Sequence, residues 1–459
     1  MNTRQLITIS LLVATFLGAC RHKTPDTPLI PKVATPDWAR NSVIYEVNLR
    51  QYTPQGTLAA FEPHLPRLRN MGVDILWLMP VHPIGIENRK EGLGSYYSVK
   101  DYKGVNPELG TLDDLKRVVN RAHDLGMKVI LDWVANHTAW DNPWVVEHPQ
   151  WYLKNSQGNI EAYVFDNGTT IDHWTDVVGL DYTQPAVHRA MTDAMLFWVK
   201  EANVDGFRCD VAGLVPASFW NHARRELQAV KPIFMLAENE DQRFLLDSAF
   251  NANYAWSLKD LFNGLTNGKS TATAFERWLL KTDSLHATGS MPMLFTTNHD
   301  ENSWHGSEYE RLGDAVKAAT LLTFTAPGLP LIYSGQEAGL SKRLRFFEKD
   351  TIHWDNLAMA DFFKQLTRLK KENPALANAA FGGKTTLVAT SHPEAILAFT
   401  RQKGTNTVVS IINLSDKAVQ FKLQHPLKGE FEEYFSGQTC RLGNDAITLP
   451  AWGYHVYRR

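Results

Sequence analysis

Eight short apolar segments recur between residues 42 and 335, and they set the strongest limit on what this chain can become. They are SVIYEVNL (42–49), VDILWLMP (73–80), MKVILDWV (127–134), VDGFRCDV (204–211), IFMLAEN (233–239), the stretch 250–256, MPMLFTTN (291–298) and GLPLIYSG (328–335). Runs with no polar face belong in a parallel sheet that helices cover. Stretches with helical spacing lie between them. Leu58, Phe61, Leu65 and Leu68 fall as on one helix face, and Leu112, Leu115, Val118 and Leu125 do the same. Thr111 caps the second of these with Asp114 three residues on, and Gly126 ends it. Helices near Val187–Lys200 and Phe219–Val230 repeat the cycle. Eight strands in this alternation predict an α/β protein built on a closed parallel (β/α)8 TIM barrel.

Two regions depart from the alternation. Between Asp132 and the helix near Gln184 lie about fifty residues rich in Trp, Asn, His and Asp. Most βα loops run only a few residues, so this is an excursion from the barrel after its third strand. After about Asn378 the pattern becomes KTTLVATS, AILAFTR, NTVVSIINL and GYHVYRR, short strands of alternating polarity. They predict a small antiparallel β-sandwich. The expected organisation is a barrel over residues 40–377 with an excursion at about 138–184, followed by a C-terminal domain over 378–459.

The N-terminus reads as an address. Arg4 precedes an apolar run from Leu6 to Ala19, too short to cross a bilayer comfortably, and the pattern predicts a secretory signal over residues 1–20. Leu17-Gly18-Ala19-Cys20 resembles the bacterial lipobox, which implies lipidation of Cys20 and an extracytoplasmic, lipid-anchored protein. Proline-rich residues 21–39 read as a tether. Only Cys209 and Cys440 remain, so no disulfide framework is implied. A formal net charge of -2 supplies no basic field for a phosphate backbone and argues against a nucleic-acid partner.

Chemistry concentrates at the strand ends. Alternate residues of a strand share a face, so in GFRCDVAG (206–213) Phe207 and Cys209 point one way, Arg208 and Asp210 the other. Cys209 belongs to packing. Asp210 closes its strand where barrel active sites are built. Asp132, Glu238 and Asp300 recur at corresponding ends, with His137 and His299 beside two of them. A metal-dependent amidohydrolase would place an H-x-H pair on the first strand, where this chain has Val47-Asn48-Leu49. A phosphate-handling barrel would not place Glu337 between Gly335 and Gly339 near its last strand. Cleavage of glycosidic bonds is the reading that remains.

The motifs DWVANHT (132–138), GFRCDVAG (206–213), the strand ending at Glu238 and FTTNHDEN (295–302) resemble those of the α-amylase family, glycoside hydrolase family thirteen. GSYYSVKDY (94–102), LDYTQP (180–185) and GLPLIYSGQE (328–337) support the match, which spans roughly residues 40–459. The resemblance implies Asp210 as nucleophile, Glu238 as general acid and base, and Asp300 as the carboxylate that holds the sugar's hydroxyls. A retaining glycosidase needs two carboxyls about 5 Å apart, one ionised and one protonated. Arg208 suits the ionised Asp210. Glu238 follows the run 234–237 without a nearby cation and is expected to be free to hold a proton. The resemblance further implies that His137 and His299 bond the sugar, that Tyr97 stacks on it and that Asp132 orients Arg208. Trp133, Trp140, Trp144 and Trp151 are candidate stacking platforms, with packing of the excursion as the alternative.

One position departs from the family pattern. Many α-amylases carry Lys-His three and four residues after the nucleophile, where this chain has Gly213-Leu214. The sequence leaves structural calcium open: Asn136 matches a calcium-binding asparagine, and the Leu214 carbonyl with Asp141 or Asp166 would complete an oxygen shell. No cofactor is required for the chemistry. The expected function is retaining hydrolysis of α-1,4-glucosidic bonds in starch or maltodextrins. Cyclomaltodextrinase, α-glucosidase or transglycosylase action is the alternative within the family, and a non-catalytic sugar-binding relative the alternative outside catalysis.

Overall fold

The computed structural model describes residues 33–459. The signal segment, Cys20 and the first part of the tether lie outside the described residues. Three strands come first, β1 (Ile44–Val47), β2 (Ile75–Leu78) and β3 (Lys128–Trp133). The chain then leaves the barrel through β4 (His137–Ala139), β5 (Ala162–Asp166) and β6 (Ile171–Gly179), an antiparallel sheet in the order β4-β6-β5. It returns for β7 (Gly206–Cys209), β8 (Phe234–Ala237), β9 (Ala252–Tyr254), β10 (Met291–Leu294) and β11 (Leu329–Tyr333). The eight barrel strands close in the order β1-β11-β10-β9-β8-β7-β3-β2, every neighbour parallel. All eight expected strands are present, and the excursion follows the third.

Alternation along each strand sorts the residues as period two requires. On β7, Phe207 and Cys209 pack outward among the helices, whereas Arg208 turns into the barrel. Ile44, Ile75, Ile130, Phe234, Met293 and Leu331 fill the interior. Gly206 is required by close approach, since a Cβ there would sit 1.8 Å from the Phe234 carbonyl oxygen on β8. The helix Leu112–Asp124 carries the expected capping box between Thr111 and Asp114. The helix face at Leu58–Leu68 is interrupted instead: all four apolar residues are buried, but Pro63 and Pro66 break the segment into Leu58–Phe61, a 3-10 turn and Leu65–Met71.

The tether ends earlier than the sequence suggested. Ala39 is buried, Trp38 packs on Phe234, and the Thr35 hydroxyl donates to the Gly289 carbonyl. These contacts hold the chain against the barrel floor.

The C-terminal strands are β12 (Lys384–Leu387), β13 (Ile396–Lys403), β14 (Asn406–Asn413), β15 (Val419–Phe421), β16 (Phe431–Glu433), β17 (Thr439–Cys440), β18 (Ile447–Leu449) and β19 (Tyr454–Arg458). They form a six-stranded antiparallel sheet, β12-β13-β14-β19-β16-β17, faced by the pair β15-β18. Ile396 and Ala398 point between the two sheets, while Leu397 and Phe399 turn to the barrel's helices. The domain is therefore bound to the barrel through one face of its large sheet. Among the described residues no helix is long and apolar enough to cross a membrane.

Candidate active site

Arg208 organises the C-terminal rim of the barrel. Its Nη1 donates to Asp132 Oδ1 at 2.8 Å and to Asp210 Oδ1 at 2.9 Å, and its Nε donates to the Tyr254 hydroxyl at 3.0 Å. Its Nη2 lies 2.8 Å from Glu238 Oε1, close enough for an ion pair but out of hydrogen-bond alignment. The expectation that Glu238 has no cation nearby is thus corrected. Strand β7 places Arg208 beside β8, and one guanidinium serves both carboxylates.

The third carboxylate, Asp300, follows β10 and lies 3.3 Å from His299 Nε2. His299 Nδ1 bonds Glu46 Oε1 on β1 at 2.5 Å, and its Nε2 meets the Tyr97 hydroxyl at 2.8 Å. The Tyr97 hydroxyl donates to Asp132 Oδ2, which also accepts from Trp77 Nε1 at 3.0 Å. Burial opposes a charge on His299, but the Asp300 and Glu46 carboxylates outweigh it and raise the imidazolium to about 9. His137 has no such partner, and burial lowers it to about 4. Two histidines from one motif set thus differ in charge at neutral pH.

Three carboxylates crowd a single buried guanidinium. Burial, then the facing Glu238 carboxylate, push Asp210 well above the usual carboxylate range, and burial also raises Asp132 and Asp300. The Asp210 and Glu238 carboxylates lie against the two Nη atoms of the same guanidinium. Glu238 Oε2 accepts from the Val211 N–H at 2.7 Å. Val211 is β-branched yet has φ +35, a left-handed conformation that stores strain beside the pair.

Tyr97, His137, Asp210, Glu238, His299 and Asp300 line one cleft of about 540 Å³. Of the expected site residues, Arg208 and Asp132 lie beneath it. The four tryptophans named from the sequence do not line it. Trp133 is buried against His82 and Phe207, Trp144 packs on Tyr102 and Trp151, and Trp140 donates to the Thr175 carbonyl. Trp174 and Trp304 line the cleft instead, with Phe346 and Phe347. Sequence reasoning also missed Glu46, Trp77 and Tyr254; the period-two pattern of β1, β2 and β9 was the signal available, since each shares the inward face of its strand.

Of the calcium ligands suggested by sequence, Asp141 is engaged by other partners and Asp166 is remote. Asp141 Oδ2 is paired with Lys100 Nζ at 2.9 Å and accepts from the Ile86 N–H. Asp166 sits at the hairpin tip opposite Ile171, and the length of β6, roughly 25 Å, separates that tip from the end that pairs with His137. Asn136 Nδ2 instead contacts His137 Nδ1. Among the described residues no group of three or more His, Cys, Asp or Glu is placed to hold a metal.

His299 gives the site a signature in pH. Its charge is favoured in the folded state, so its contribution is complete below the ordinary imidazole value of 6.5 and is lost as pH rises through about 9. The expected loss is about 3 kcal/mol. Melting temperatures from pH 6 to 10 should fall over that window, and His299→Asn should remove this component. An unaltered profile in the variant would refute it.

A closed parallel barrel with paired carboxylates and a third facing them at its C-terminal rim defines a barrel of the glycosidase class. Residues 35–381 match the family description "Alpha amylase, catalytic domain", and residues 386–456 match "Maltogenic Amylase, C-terminal domain". The chain belongs to the α-amylase family, glycoside hydrolase family thirteen. It is 29% identical over 402 residues to Alpha-amylase MalA of Haloarcula japonica, covering 83% of this chain but only 56% of that protein. It is 26% identical to the maltogenic alpha-amylase of Bacillus acidopullulyticus, covering 84% and 72% of the two chains. Among solved structures, the noncanonic maltogenic alpha-amylase AmyB from Thermotoga neapolitana superposes with a TM-score of 0.82 at 28% identity, over 92% of this chain and 99% of that one. An alpha-amylase from Lactobacillus plantarum gives 0.80 at 29% identity, with the same coverage.

Proposed function

We propose that the protein hydrolyses α-1,4-glucosidic bonds of starch or maltodextrins with net retention. The observation that carries this reading is the sharing of Arg208 by Asp210 and Glu238, with Asp300 in the same cleft. One proton between the pair is the state that a double displacement needs. With it on Glu238, Asp210 is anionic beneath Arg208 Nη1 and attacks the anomeric carbon. Glu238 delivers the proton to the leaving oxygen, and then takes one from the water that cleaves the glycosyl-enzyme. Asp300 and the charged His299 hold hydroxyls of the same ring, Tyr97 presents its ring beside them, and neutral His137 bonds from the excursion side. The steps need no cofactor.

The sequences similar to this chain include proteins named as maltogenic amylase, cyclomaltodextrinase and cyclomaltodextrin glucanotransferase. Incubation with starch, β-cyclodextrin and maltotriose, with products resolved over time and their anomers read by NMR, separates these activities. The expected result is short α-configured maltooligosaccharides from starch. Products that are β-configured at first would overturn retention, and products longer than the substrate would mark transfer.

An extracytoplasmic, lipid-anchored location is part of the proposal and rests on the Leu17–Cys20 motif alone. Cys20→Ser is expected to move the protein from the membrane fraction to the soluble one. Continued membrane residence would refute lipidation at that residue.

A further inference from the structure

The loop after β2 builds one side of the cleft. Lys90 on this loop pairs with Asp176 of the excursion at 3.4 Å, and the Ser98 hydroxyl donates to the Asp176 carbonyl. At its other side the Leu93 N–H donates to the Phe347 carbonyl at 2.8 Å, on the loop after β11. Arg50 ties this joint: Nη1 donates to the carbonyls of Gly94 and Phe346, both at 3.0 Å, and the guanidinium lies over Tyr96 at 4.0 Å. Gly92 is packed so closely that a Cβ would meet Glu348 at 2.4 Å. The wall therefore runs without a break from the excursion to the last barrel loop.

Its place in the barrel gives it a meaning. In the closed order β1-β11-β10-β9-β8-β7-β3-β2, β1 stands opposite β8, and the wall is made by the loops after β1's two neighbours, β2 and β11. Glu238 follows β8, so wall and acid face each other across the cleft. A general acid protonates the leaving-group oxygen, which puts the departing part of the glucan on the Glu238 side. The wall then meets the non-reducing part. Aromatic rings lead toward it, from His299 to Tyr97 at 5.5 Å, Phe346 at 6.4 Å and Trp304 at 4.9 Å. Beside these apolar faces the Lys90–Asp176 pair offers both donor and acceptor to hydroxyls.

We infer that the cleft is closed beyond the sugar that is cleaved, and that the enzyme takes the non-reducing end of an α-glucan and acts from that end. The inference rests on the hydrolytic reading above. A rim aromatic platform seats the end sugar, and Lys90 and Asp176 bond its terminal hydroxyls, which an internal sugar of a longer chain does not present.

The test compares p-nitrophenyl maltoheptaoside with the same compound blocked by an ethylidene group on its non-reducing end. The blocked compound should be cleaved at least about tenfold more slowly, because the wall rejects the added group. Replacing residues 87–92 by Gly-Gly should raise the ratio of blocked to free cleavage by a similar factor. Equal rates on the two compounds in the native protein, or an unchanged ratio in the shortened one, would overturn closure. Calorimetric binding of both compounds to Asp210→Asn reads closure without turnover. Preferential binding of the free compound with no cleavage by the native protein would sink the hydrolytic reading and leave the closed cleft standing.

Discussion

Asp210→Asn is expected to lower kcat on maltooligosaccharides by about four orders of magnitude or more, the scale reached when a covalent nucleophile is removed, while the melting temperature holds or rises. Both halves follow from the same contacts. The amide keeps the size of the carboxylate and still accepts from Arg208 Nη1, so the hydrogen bond at 2.9 Å survives. It cannot attack the anomeric carbon, and no other carboxylate occupies its position. The amide also removes the repulsion from Glu238 that, after burial, pushes the Asp210 carboxyl upward. A neutral group there relieves the site. The measurement pairs reducing-sugar release with thermal unfolding. Activity within tenfold of the native enzyme would show that another residue forms the covalent bond.

Arg208→Ala carries the largest expected effect on stability. Removing the guanidinium leaves Asp132, Asp210 and Glu238 without the cation that they share at 2.8, 2.9 and 2.8 Å. Breaking a buried ion pair by deleting one partner costs about 3–5 kcal/mol, and the remaining carboxyls would take up protons to escape the cost. Activity should vanish, since a protonated Asp210 is no nucleophile. Arg208→Lys restores a charge but not the fork: one ammonium cannot reach the carboxylates and the Tyr254 hydroxyl together. It is expected to recover part of the stability and little of the rate. An alanine variant that melts with the native protein would mean that the carboxylates are neutralised by something other than Arg208.

The pairing of Arg208 with Glu238 also marks where sequence reading stops. Arg208 on β7 and Asp210 just past its end are two residues apart, and strand geometry puts them together from the sequence alone. Glu238 is far along the chain, and only the parallel pairing of Arg208 with Leu236 on β8 brings it under the same guanidinium. The same holds for Glu46 and His299, joined by barrel closure across β1 and β10. The aromatic lining failed differently. Tryptophans are densest in residues 133–151, yet Trp133 packs on Phe207 outside the barrel strands and Trp144 packs on Tyr102 and Trp151, while the cleft takes Trp174 and Trp304 from a hairpin and from the turn after Asp300.

Local regularities were therefore legible: eight apolar strands, the Thr111–Asp114 cap, the alternating C-terminal strands, and the carboxylates that end β7, β8 and the segment after β10. Period and residue type carry these, and both act over a few neighbours. What tertiary structure decided is which side chains share a charge, which rings face the cleft and which loops close it. Those depend on strands and loops meeting across the barrel, where an electrostatic partner is chosen by distance in space, and no local pattern encodes that distance.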